Sequence, residues 1–208
     1  MTAGTEQRRW AGKREAILEA GFALFAEVGY TAATIDEVAR RAAVSKPTIY
    51  SLVGNKEGLL RAVLQLNNDQ GMSELAEAFR ALPDLATDAY EDLCAVGRVW
   101  AERFCRDRSL VVRRLIFAEM TRFPDLHNTY RVTANTEFVE LLSARLRRLA
   151  DRELLRVADP SLAATQFLAL LRDQIWTVTS LGTKPIEAVE IRSVVEQSAH
   201  LIADAYRP

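Results

Sequence analysis

Apolar residues recur along the chain at intervals of three and four, and no stretch alternates strictly between apolar and polar with turn residues at both ends. That pattern predicts an all-α protein of about nine helices. Ile17, Ala20, Gly21, Leu24, Phe25 and Val28 fall on one stripe, predicting a first helix over about Arg8 to Val28 that Gly29 ends as a C-cap. Thr34 to Glu37 has the Thr-x-x-Glu form of a reciprocal capping box and opens a short second helix, Ile35 to Ala42. Ser45 is placed to cap a third helix beginning Lys46-Pro47, where proline is tolerated because first-turn N-H groups lack intrahelical partners. The two short helices meet at Ala43-Val44. A longer helix starts at Asn55, runs through Leu59, Leu60, Val63 and Leu66 towards Arg80, and stops near Pro83. Further helices are expected at about Leu85 to Arg106, Arg108 to Arg122, Asp125 to Ala150, Pro160 to Leu181 and Pro185 to Tyr206. Asp107, Phe123-Pro124, Asp151 to Asp159 and Gly182 to Lys184 divide them.

Two short helices around a tight turn form a DNA-reading device when the second projects into the major groove and the first braces it. The segment from Ser45 offers hydrogen-bonding groups at Lys46, Thr48, Tyr50 and Ser51, while Ile49 and Leu52 can face a core. Composition bears on this reading through its asymmetry. The chain as a whole carries −1, but residues 1 to 66 hold 9 Lys+Arg against 7 Asp+Glu and residues 67 to 208 hold 18 against 21. A basic face on the first segment is thereby permitted, as a polyanionic partner requires.

The run Thr34-Ile35-Asp36-Glu37-Val38-Ala39-Arg40-Arg41-Ala42-Ala43-Val44-Ser45-Lys46-Pro47-Thr48-Ile49-Tyr50, followed by Val53-Gly54-Asn55-Lys56-Glu57 and Leu59-Leu60, resembles the signature of the TetR family of transcriptional regulators. Ile17 to Ala33, with Phe22, Phe25, Gly29 and Tyr30, is similar to that family's first helix and loop. The stretch Phe117 to Leu126 resembles a C-terminal subgroup called AefR-like. The resemblance implies a helix-turn-helix domain over residues 1–55 and a helical effector-binding and dimerisation domain over 56–208, beginning with the connector helix. It implies that Lys46, Pro47 and Thr48 touch bases or nearby phosphates, that Tyr50 contacts the DNA backbone and that Lys56 holds a phosphate. For Lys56 the physics agrees independently, since a helix N-terminus and an ammonium both favour an anion. Thr34, Ser45 and Ser51 complete the expected DNA-binding set, the first two as caps whose hydroxyls can also meet a phosphate. Arg40 and Arg41 read as solvated helix charges. Two positions depart from the family pattern: Ala43 stands where glycine is common, so the turn is unstrained only if its backbone avoids positive φ, and Val53 stands where an aromatic residue is common.

Because one recognition helix reads few bases, a homodimer on a pseudo-palindromic DNA operator is expected. The resemblance places the interface on the last two helices, where Leu168, Leu171, Ile175, Val194, Leu201 and Ile202 have suitable spacing, although the same residues can instead fill the monomer's core. Trp100, Phe104, Phe117, Met120, Phe123, Phe138 and Phe167 are the candidate lining of a cavity for a small-molecule effector, with ordinary core packing as the alternative for each. Cys94 and Cys105, eleven apart, give neither a disulfide framework nor a zinc cluster and read as buried packing residues, with a thiol sensor as the alternative. His127 and His200 are too few and too separated for a metal or catalytic site. No Gly-rich phosphate loop, His-Glu-x-x-His, nucleophile elbow or paired Cys motif suggests an enzyme or a cofactor. A helical interaction protein that has lost DNA binding is opposed by the retained Lys46, Thr48, Tyr50 and Lys56. The polar stretch Met1 to Trp10 and the shortness of the apolar runs lead to the expectation of a cytoplasmic protein without membrane association.

Overall fold

The computed structural model describes residues 3–83 and 88–208, with side chains described over 8–83, 88–126 and 136–208. Its helices are α1 (Ala3–Ala32), α2 (Ile35–Arg41), α3 (Lys46–Val53), α4 (Lys56–Arg80), α5 (Ala89–Phe104), α6 (Asp107–Glu119), α7 (Pro124–Asp151), α8 (Pro160–Val178) and α9 (Ala188–Ala205), with no strand among the described residues. Helix α1 begins earlier than expected because no glycine or proline interrupts the good helix formers between Thr5 and Ala11. Gly29, at φ 75 and ψ 171, breaks it where a cap was expected, yet a last helical turn continues to Ala32. Asp107, expected as a divider, is instead the first residue of α6, where its carboxylate favours the positive end of the helix dipole. Helix α8 stops at Val178, short of Leu181, because Ser180, Leu181 and Gly182 all adopt positive φ (48, 62 and 76). The start expected at Leu85 lies outside the described residues; α5 is capped at Asp88, whose carboxylate accepts from the N-H groups of Tyr90 (2.7 Å) and Glu91 (3.3 Å).

Two compact units result, one of Met1–Asp69 with Val111–Tyr130 and one of Gln70–Leu110 with Arg131–Pro208. The first half of α4, up to Asp69, falls in the first of them. The reason is the apolar first half of α4: Leu59, Leu60, Val63 and Leu64 are buried against Ile17, Leu18, Leu24, Phe25 and Ile49, and Val112, Leu115, Ile116 and Leu126 close the same core. Each such side chain stabilises its unit by roughly 1.5–3 kcal/mol.

The second unit packs α8 and α9 against α5 around Phe167, Leu171, Ile175, Val194, Val195 and Ala199. Gly97 of α5 makes that approach possible, since a Cβ there would lie 2.8 Å from Cγ1 of Val195 and 3.2 Å from Cζ of Phe167. One ion pair is sealed into this unit. The guanidinium of Arg145, on α7, donates through Nε (2.7 Å) and Nη2 (2.5 Å) to the two carboxylate oxygens of Asp92 on α5, and through Nη2 also to the carbonyl of Pro83 (2.7 Å). Arg145 lies 5.6 Å from the Phe79 ring centroid, adding a cation–π contact. Both side chains are buried, so the geometry must compensate their desolvation. Asp92→Ala, which strands the guanidinium, is expected to lower stability by about 3–5 kcal/mol, while Asp92→Leu combined with Arg145→Met recovers most of the loss. Urea unfolding of both variants measures this, and a single-variant loss below about 1 kcal/mol would contradict it.

Candidate nucleic-acid interface

Helix α3 is set by its two ends. Ser45, in extended conformation, accepts at Oγ from the N-H of Thr48 (3.4 Å), and Gly54 at φ 78 ends the helix by donating its N-H to the carbonyl of Tyr50 (2.9 Å). Its eight residues then give one buried and one open side. Ile49 has no exposure and meets the core beneath α1 and α4, Leu52 is partly buried, and Ser45, Lys46, Pro47, Tyr50 and Ser51 are exposed, Tyr50 to 50%. Thr48 is half-buried and shares a hydrogen bond of 2.8 Å with the Ser45 hydroxyl. The residues expected to read DNA therefore stand together on one accessible face.

Helix α2 braces that face. Thr34 caps it by accepting from the N-H of Glu37 (3.2 Å), but the reciprocal half of the expected capping box is replaced. The Glu37 carboxylate turns to the guanidinium groups of Arg40 (2.6 and 2.9 Å) and Arg41 (2.7 Å). These charge-assisted bonds hold its pKa at about 2, far below the usual carboxylate value. Arg41 reaches on to Glu27 of α1 (2.8 Å). Both arginines are thus tied to carboxylates of the domain.

The turn carries strain. Ala43 lies at φ 51, in the left-handed region that an alanine standing in place of glycine would ideally avoid. The tight geometry is nonetheless needed, because Val44 donates its N-H to the carbonyl of Ala39 (3.0 Å) and closes the turn.

Two electrostatic details were not readable from spacing. Lys46 forms an ion pair with Asp36 at 2.6 Å, and this hydrogen bond raises the lysine pKa. The pair joins two exposed side chains from different helices across the turn, so no helical interval could announce it. Lys56 donates to the carbonyl of Thr31 (3.0 Å) and sits 4.6 Å from the Tyr30 ring centroid, over which Arg122 also lies at 5.3 Å. Partial burial, reinforced by Arg122, lowers the Lys56 pKa. Tyr30 is thus a buried platform that positions the ammonium at the start of α4, and Phe123 packs edge-on against it at 5.5 Å.

The other expected sites are dispersed. Of the candidate effector residues, Trp100, Phe104, Phe138 and Phe167 are buried in the second unit, Trp100 stacked on Phe104 at 4.4 Å and Trp176 edge-on to Phe104 at 6.2 Å. Phe117, Met120 and Phe123 belong to the first unit, Phe117 with 48% exposure and Phe123 against Tyr30. For the candidate interface residues, where a partner-facing and a core-filling place were both open, the structure gives the following positions. Leu168, Leu171, Ile175, Val194 and Ile202 are buried in the second unit's own core, because the wider apolar stripe of α8 and α9 is used to pack on α5. Leu201 alone of the six is exposed (55%), and the open apolar side chains beside it in sequence on these helices and their connection are Leu162, Val178, Leu181 and Val189. Cys94 is buried, and desolvation pushes its thiol pKa up, the opposite of an activated sensor thiol. His200 is 3.1 Å from Asp204, and the side chain of His127 lies outside those described. Among the described residues no cluster suited to a metal ion occurs, and no helix is long and apolar enough to cross a membrane.

A small all-helical module presenting a capped polar helix beside a bracing helix defines a helix-turn-helix DNA-binding regulator with a helical C-terminal domain. The signature described as "Bacterial regulatory proteins, tetR family" matches residues 17–63, and that described as "AefR-like transcriptional repressor, C-terminal domain" matches residues 91–208. The chain belongs to the TetR family of transcriptional regulators. It is 28% identical over 195 residues to the HTH-type transcriptional regulator BetI of Escherichia coli K12, covering 92% of this chain and 95% of BetI. A crystal structure of a TetR-family regulator from Mesorhizobium loti superimposes with a TM-score of 0.85 at 24% identity, over 96% of this chain and 99% of the other. The flavonoid-responsive regulator FrrA is 26% identical with a TM-score of 0.69, over 94% and 97% of the respective chains.

Two outcomes follow from the turn and the ion pair. Ala43→Gly relieves the left-handed alanine and is expected to raise stability by about 0.5–1 kcal/mol in a chemical-denaturation comparison; a destabilised variant would refute the strain. Asp36→Asn removes the carboxylate that holds Lys46 and that DNA binding must displace, so binding is expected to tighten at low salt and to approach the parent's as salt is raised. Equal affinities at low salt would show that the pair does not restrain Lys46.

Proposed function

We propose that this protein is a transcriptional repressor that binds a palindromic operator as a homodimer and is released from it by a small-molecule effector. The observation that carries the proposal is the segregation on α3: Ile49 is sealed in the core while Ser45, Lys46, Pro47, Tyr50 and Ser51 face outward. An exposed helix with donors on one side suits the major groove. In this reading Lys46, Pro47, Thr48 and Ser51 meet base edges and adjacent phosphates, Tyr50 the sugar-phosphate backbone, and Thr34, Ser45 and Lys56 phosphates at helix starts. Lys56 would exchange its bond to the Thr31 carbonyl for a phosphate oxygen, an exchange favoured by the helix dipole of α4.

Repression is supported by the AefR-like match over residues 91–208. Dimerisation is supported by the exposed Leu162, Val178, Leu181, Val189 and Leu201 of the last two helices and their connection, where the family resemblance expects a partner. For the effector, the likeness to a regulator named for its response to flavonoids favours a planar aromatic compound. Mechanistically, the DNA-bound dimer holds its recognition helices about 34 Å apart, one turn of DNA. An effector that prefers another arrangement shifts the population by tilting α4, and a coupling of about 1–3 kcal/mol lowers operator affinity about 5- to 150-fold.

The test uses the DNA upstream of the protein's own gene. Tyr50→Ala combined with Lys56→Ala is expected to weaken binding to every duplex and to reduce the salt slope by about 0.9 per protomer, the share of the one charge removed, while Lys46→Ala changes which sequences are preferred. Unchanged binding by the double variant, or a protein that stays monomeric on its operator, would contradict the proposal.

A further inference from the structure

Glu119, the last residue of α6, is 8% exposed, and among the described residues its carboxylate makes no hydrogen bond and no ion pair. Burying a charge without donors is costly, so a native carboxylate in that state calls for a reason. The carbonyl of the same residue accepts from the N-H groups of Arg122 (3.0 Å) and Phe123 (2.8 Å) and turns the chain into the corner that leads to α7.

That corner is fixed against the start of α4. Arg61 donates to Asp125 (2.5 and 3.2 Å) and to Glu57 (2.8 Å), and its guanidinium lies 5.8 Å from the Phe123 ring centroid. Phe123 and Arg122 rest on Tyr30, the ring that also carries Lys56. The charges gathered here are Lys56, Arg61 and Arg122 against Glu57, Glu119 and Asp125. Arg61 takes up Glu57 and Asp125, and Arg122 lies over two rings, 5.3 Å from the centroid of Tyr30 and 5.4 Å from that of Phe123. Lys56 uses one of its three donors on the neutral carbonyl of Thr31. Burial, and after it Arg122, lower the Lys56 pKa, while Glu119 acts against both and favours the ammonium. The buried carboxylate and the lysine are thus within electrostatic reach of each other without being bonded.

We infer that Glu119 is an autoinhibitory counter-ion, which competes with a DNA phosphate for the Lys56 ammonium and so lets the α6–α7 corner weaken the protein's grip on its operator. The inference rests on the phosphate contact proposed above for Lys56. Residue 119 lies in the segment matched by the C-terminal signature, 91–208, and outside that matched by the helix-turn-helix signature, 17–63. The competitor is therefore supplied by the C-terminal part of the sequence to a lysine of the DNA-binding module.

The experiment measures the affinity of full-length parent, Glu119→Gln, Lys56→Ala and the double variant for the DNA upstream of the protein's own gene, at about 0.05 and about 0.3 M salt. Glu119→Gln, which keeps the shape and removes the charge, is expected to bind about 3- to 10-fold more tightly at the lower salt, with a smaller gain at the higher. In the Lys56→Ala background the same substitution is expected to change affinity by less than about twofold, because its effect passes through the lysine. If Glu119→Gln binds no more tightly than the parent, the inference is overturned while the operator reading stands. A gain that persists undiminished without Lys56 overturns it as well, since the carboxylate would then repel the duplex directly. Parent-like binding by Lys56→Ala alone removes the phosphate contact and the inference with it. Thermal unfolding checks that the variants are folded, and should glutamine prevent folding, Glu119→Met carries the same comparison. If the parent binds no duplex at low salt, the inference falls together with the DNA-binding reading.

Discussion

The outward face of α3 is a consequence of the burial of Ile49. With eight residues, α3 is too short to persist alone, and its place depends on that one side chain meeting Leu59, Leu60 and the α1 stripe while Ser45 and Gly54 satisfy its ends. Once Ile49 is inward, the helical period forces Ser45, Lys46, Pro47, Tyr50 and Ser51 outward. The constraint is strong enough to hold Ala43 in the left-handed region, since relaxing the turn would move α3 off its seat.

Electrostatics on this face are arranged by pairing. Glu37 neutralises much of the charge of Arg40 and Arg41, and Asp36 holds Lys46, so in the absence of DNA few cations of α2 and α3 are without a carboxylate. That arrangement suits a sequence reader, because a face of unpaired cations would bind any duplex tightly. Lys56 is held differently, over the Tyr30 ring and against the Thr31 carbonyl, with Arg122 and Glu119 as its charged neighbours.

The second unit solves a different problem. Its core uses the apolar stripes of α8 and α9 almost completely, which is why residues chosen by spacing as partner-facing turn out to be internal. Spacing identifies a helix face that avoids water; it does not say whether the same molecule or another one covers it. Leu162 and Val178 of α8 and Val189 and Leu201 of α9, off that stripe, are the side chains left open.

The all-α class, the cap residues Thr34 and Ser45, the inward Ile49 and the family signature were all legible in the chain, because capping chemistry and the 3.6-residue period act over a few residues. Four features were not: the Asp36–Lys46 pair, the Tyr30 platform shared by Lys56 and Arg122, the buried Arg145–Asp92 pair joining residues 53 apart, and the inclusion of residues 111–130 in the first unit. Each depends on which helices become neighbours. Local sequence determines where a helix begins and which side shuns water, whereas the partner for that side, and for every charge beside it, is chosen only when distant segments pack together.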